Sequence, residues 1–147
     1  MQFLAAAVAA VALVNTNPAI VAQTGGRLEP VQAQIGERLS PEEVLMVYQR
    51  CSAFFSAQSL RILTFSTTEH EQRIADRATR YARAFRDSAA STAEKYNLGI
   101  DDAAMDATLQ KMTVAYVGEF VLSGDASGTP VVGLVKTDYD FCISLGR

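Results

Sequence analysis

Two cysteines, Cys51 and Cys142, stand near opposite ends of the part of this chain that carries helical periodicity. Joined, they close a loop of roughly 90 residues, worth about 4 to 5 kcal/mol in the chain-entropy description of a cross-link. A fold that accepts such a bond must bring its last segment back to its first long helix. Whether the bond forms depends on the compartment, so the amino terminus bears on the fold.

Residues 1–22 contain no Asp, Glu, Lys or Arg, and Phe3 to Val14 is an apolar, alanine-rich run followed by Asn15, Thr16, Asn17 and Pro18. A run of about 12 residues suits the core of a signal peptide and falls short of the roughly 20 needed to span a bilayer. Ala22, with Ile20 two positions before it, makes a usable cleavage site that leaves Gln23 as the new amino terminus. The leading region lacks the customary Lys or Arg. The pattern predicts export, to the periplasm or the extracellular space; the alternative is an apolar segment retained as a membrane anchor. In oxidising surroundings two core-facing cysteines far apart in sequence predict one structural disulfide, Cys51–Cys142, with two separate buried thiols as the other reading.

The division that follows is a signal peptide over 1–22, a flexible leader over 23–39 with at most a helical turn near Val31 to Ile35, and one helical domain over 40–147. A mature chain of about 125 residues suits a single domain. Its net charge of −3 argues against a dedicated nucleic-acid binder, which would normally be strongly basic.

Ser40, Pro41 and Glu43 form a capping box with proline at the first helical position, followed by Val44, Val47, Tyr48, Cys51, Phe54, Phe55 and Ile62 on one helical stripe. That predicts a first helix from about Pro41 to about Leu63. Two overlapping boxes, Ser66 with Glu69 and Thr68 with Glu71, can open a second. Its stripe runs through Ile74, Ala78, Tyr81, Ala82, Phe85, Ala89, Ala93 and Tyr96, with Gly99 placed to close it; the small residues invite close helix approach. Asp101 and Asp102 open a third helix, whose core stripe is Met105, Leu109, Met112, Tyr116 and Phe120. After the turn-rich Ser123 to Pro130, Val131 to Val135 reads as a short strand or a helical turn, and a box of Thr137 with Asp140 favours a short last helix. The expected architecture is all-α, a small up-and-down bundle of three long helices and a short C-terminal one.

Chemistry-bearing patterns are sparse. The sole histidine, His70, lies between Glu69 and Glu71 at a helix start, and neither a triad partner nor metal-ligand spacing surrounds it. The carboxylate pairs Asp101 with Asp102 and Asp138 with Asp140 are explained by capping, which makes carboxylates more acidic and so poorer general acids. Calcium at Asp125, or at Asp138 and Asp140, lacks an EF-hand ligand order. Tyr48, Tyr81, Tyr96 and Tyr116 lie on core stripes and read as packing.

One surface remains. Arg73, Arg77 and Arg80 fall within about 60° of each other on the second helix, opposite the core stripe, with Arg83 and Arg86 drifting toward its edge. Such a row suits an anion or an acidic partner; the ordinary reading is a solvated face with pairs such as Asp76 to Arg80 and Arg83 to Asp87. The sequence therefore points to an exported, non-enzymatic binding or accessory protein whose partner is a protein or an anionic surface, with no cofactor, metal or nucleic acid. The alternative is a membrane-associated subunit with its N-terminus retained, and a metal- or thiol-dependent enzyme ranks below both.

Overall fold

The computed structural model describes residues 28–65, 68–123 and 133–146. All regular structure among them is helical: a 3-10 turn at Val31–Gln34, then α1 (Pro41–Phe65), α2 (Glu69–Lys95), α3 (Asp102–Leu122) and α4 (Gly133–Leu145). The three long helices and the short last one are those expected. Cys51 and Cys142 are bonded, with Cα atoms 5.6 Å apart.

The helix starts obey local chemistry. At α1 the Glu43 amide donates to Ser40 Oγ over 3.1 Å while the Ser40 amide donates to Glu43 Oε2 over 2.8 Å. The other carboxylate oxygen of Glu43 accepts from the Gly36 amide, and these backbone donors, Ser40 first, hold its pKa below the ordinary value. Thr68 and Glu71 form the box that opens α2; the competing Ser66 lies outside the described residues. Asp101 caps α3 by accepting from the Ala104 amide at 2.7 Å.

Two helix ends differ from expectation. The left-handed residue that closes α2 is Asn97 (φ 52°), not Gly99. The Leu98 amide reaches Ala93 O and the Asn97 amide reaches Glu94 O, the paired bonds of a Schellman end, while Gly99 (φ 69°) lies two residues beyond, in the link to α3. The last helix starts at Gly133, one turn before the Thr137 box. Thr137 Oγ1 donates to Gly133 O inside the helix and Asp140 pairs with Lys136 instead, so Val135 is helical. Val131 and Val132 lie outside the described residues.

The largest departure concerns α1. A single stripe was expected, yet Leu45 to Ser59 is buried almost all round, only Tyr48 and Ser56 being partly exposed. The helix is the hub: α2 packs along one side, α3 along another, and α4 crosses a third, where Cys142 is bonded. α2 delivers the small stripe, with Ala75, Ala78, Ala82, Ala89 and Ala93 buried, which lets the helix axes approach closely. An aromatic cluster fills the wider space: Phe54 meets Phe55 and Tyr116 edge-on, both at 5.3 Å between centroids, and Phe55 stacks on Tyr81 at 4.9 Å. α2 and α3 approach each other at one end of the bundle, where Ala89 and Ala93 meet Leu45 and Met105.

From Leu28 on, the leader is part of this core. Leu28 and Val31 are buried, and the segment lies against α1 and α4 as a strap.

Candidate functional site

Because α1 is enclosed, its polar residues must find partners inside. Ser52 Oγ donates to Ala82 O at 2.8 Å, Ser59 and Thr79 share a 2.9 Å hydroxyl bond, and Gln49 donates to the sulfur of Met105. The demanding case is Arg50, a cation with no exposed surface.

Arg50 is met from three directions. Its Nη2 donates to Asp138 Oδ2 at 2.6 Å and to the Glu29 carbonyl at 2.8 Å, its Nε to Tyr116 Oη at 2.6 Å, and its Nη1 to Gln34 Oε1 at 3.3 Å. Tyr116 passes its own proton toward Asp138 Oδ2, and the Val31 amide donates to Asp138 Oδ1 at 2.9 Å. The strap, α1, α3 and α4 thus meet in one buried polar knot beside the disulfide. Burial opposes the charge on Arg50, but Tyr116 and Asp138 outweigh it and hold the guanidinium above its ordinary pKa. Burial, with the Asp138 carboxylate beside it, pushes the Tyr116 hydroxyl well above the ordinary tyrosine value despite the nearby Arg50. The knot closes on itself: each oxygen and N–H named here is engaged by another protein group, which makes it a fastening for α4 and the strap.

Asp138 is therefore neither a cap nor half of a carboxylate pair with Asp140, since it points inward while Asp140 faces solvent with Lys136. Asp125 lies outside the described residues. Sequence reasoning missed Arg50 and Asp138 as a pair and placed Tyr116 as simple packing. A signal existed: Asp138 precedes Cys142 by four residues on a helix, so an inward Cys142 carries Asp138 inward with it.

His70 is exposed in the first turn of α2. Among the described residues no group of three or more His, Cys, Asp or Glu is arranged to hold a metal ion, and no described helix is long and apolar enough to cross a membrane.

The arginines divide into two sets. Arg86 bonds Asp106 through Nε and Nη2 at 2.9 and 2.8 Å and so ties α2 to α3. Asp106 is the first of the causes that raise its pKa. Arg73 lies a loose 3.6 Å from Glu69 with 66% of its side chain exposed. Arg77, Arg80 and Arg83 are exposed and make no ion pair among the described residues; neither Asp76 to Arg80 nor Arg83 to Asp87 closes to bonding distance. At the far end of α2 a cleft of about 540 Å³ opens toward α3, walled by Glu94, Asp101 and Asp102 over a floor that includes Ala93, Ile100 and Met105. No protein-family model, curated protein or solved structure matches the chain.

Proposed function

We propose that this is an exported, non-enzymatic binding or accessory protein that meets an acidic partner or anionic surface through the arginine row of α2. The observation that carries this reading is the contrast among the arginines: Arg50 and Arg86 are bonded within the fold, whereas Arg77, Arg80 and Arg83 stand exposed and unpaired on one helix. Planar guanidinium groups in such a row suit bidentate contact with carboxylate or phosphate oxygens. Export is supported by the apolar run Phe3 to Val14, and a disulfide buried in the core fits an oxidising compartment.

The test is capture of partners from extract of the native host by the full folded chain, with and without Arg73→Glu, Arg77→Glu and Arg80→Glu together. Loss of the captured set is expected, and an unchanged set removes the arginine row from the proposal. Intact mass of the native protein, with and without reduction, addresses export separately: cleavage after Ala22 leaves a chain that begins at Gln23.

A further inference from the structure

The strap is held the way a bound peptide is held. Its regular structure is one short 3-10 turn, Val31–Gln34, that no side chain caps. What fixes it is the groove against α1 and α4. Leu28 and Val31 are buried there, Arg50 Nη2 donates to the Glu29 carbonyl at 2.8 Å, and the Val31 amide donates to Asp138 Oδ1 at 2.9 Å, while Glu29, Gln32 and Ala33 stay exposed. Those two polar bonds reach main-chain atoms, a carbonyl and the amide two residues on, so they fit any polypeptide in this conformation. Pro30 stands between them at φ −53° and ψ 139°, close to polyproline II, and no bond in the groove calls on the N–H it lacks. Selection therefore rests on the apolar side chains at positions 28 and 31 and on the proline.

The receiving side is oriented without the strap. Arg50 Nε is held by Tyr116 Oη and Arg50 Nη2 by Asp138 Oδ2, both at 2.6 Å, so α1, α3 and α4 alone fix the guanidinium and the carboxylate. The strap joins that frame through the exposed residues 36–39, where the Gly36 amide rests on Glu43. We propose that this groove is a peptide-binding site, independent of the arginine row, and that the strap is its built-in competitor. The ligand is an extended segment of a partner protein with the pattern apolar, any residue, proline, apolar, as in Leu28-Glu29-Pro30-Val31. It replaces the strap, offering a carbonyl to Arg50 and an amide to Asp138, and the preset proline geometry lowers its ordering cost. A second copy's strap is a poorer occupant, because exchange between copies makes no groove contact that the closed monomer lacks and gives up the freedom of two separate molecules. The short tether gives the strap an effective concentration on the order of 1 mM, which a peptide of equal affinity must exceed.

The probe is the blocked peptide of residues 27–35, RLEPVQAQI, and the receptor is the oxidised full chain. Amide exchange is followed by NMR on isotope-labelled wild type with unlabelled peptide at about 10 mM, roughly ten times the effective concentration of the strap. Val31 should exchange at least about tenfold faster, as the strap is displaced. Amides of α1 such as Cys51 and Phe54 should not change, because the frame stays folded. The full-length variant Leu28→Asp/Val31→Asp, whose own strap cannot seat, should bind a fluorescent form of the peptide about 100-fold more tightly than the wild type does. The peptide with the same two substitutions should bind neither chain. Unchanged Val31 exchange, α1 amides that speed up together with Val31, or equal affinity of the two chains for the peptide overturns the inference. If the variant does not fold, the wild-type exchange decides alone. Dimerisation of the wild type that disappears in the variant assigns the groove to a second copy and likewise overturns it.

Discussion

Arg50 and Asp138 form an ion pair at 2.6 Å with neither side chain exposed. Such a pair adds little net stability over apolar residues of the same shape, but breaking it leaves a charge stranded in the core. Asp138→Leu alone should lower unfolding free energy by about 3 to 5 kcal/mol. The triple change Arg50→Met/Tyr116→Phe/Asp138→Leu should be much less damaging than the sum of its three parts, because it removes the group left uncompensated. Urea denaturation of the four variants measures this coupling, and strict additivity would contradict the knot. Tyr116 adds a dependence on pH. Its folded pKa is raised, so the native state holds that proton longer than the unfolded chain. Stability should then be unaffected by this group below the ordinary tyrosine value of 10.0 and fall as pH rises beyond it toward the folded value. The alkaline decline should be shallower in Tyr116→Phe, as thermal unfolding at a series of pH values would show.

At the scale of elements, the helices start where their side chains supply caps and end where the backbone can turn. Ser40 with Glu43 and Thr68 with Glu71 are local signals legible without the fold, because their partners lie three residues apart. The end of α2 was less legible, since both Asn97 and Gly99 tolerate left-handed backbone and only the Leu98 amide reaching Ala93 O decides between them. Asn97→Gly should therefore be nearly neutral. Asn97→Ala should cost about 1 kcal/mol, because a β-carbon without a compensating side-chain bond is strained there. Paired thermal melts distinguish the two. α4 is a related case: its Thr137 box was available, yet the helix reaches back to Gly133, and docking of Val135, Asp138 and Cys142 against the core extends it.

For the whole molecule, the leader behaves as structure from Leu28. Its burial of Leu28 and Val31 and its two contacts with Arg50 mean that the folded unit begins before the capping box at Ser40. A chain starting at Gln23 should match the full chain in its urea midpoint. One starting at Gly36 should lose roughly 3 to 6 kcal/mol, from two buried side chains at about 1.5 to 3 kcal/mol each. Equal midpoints would show that the strap contributes nothing.

The sequence by itself determined the class of fold, the disulfide partners and the three long helices, because periodicity, capping and cysteine pairing are written in short-range spacing or in residue count. Only the tertiary structure decided that α1 is enclosed on every side, that Arg50, Tyr116 and Asp138 form one buried knot, and that Leu28 and Val31 belong to the core. Those facts join residues 21 to 107 positions apart, and a charge inside an apolar helix is tolerable only when distant segments bring it matching oxygens.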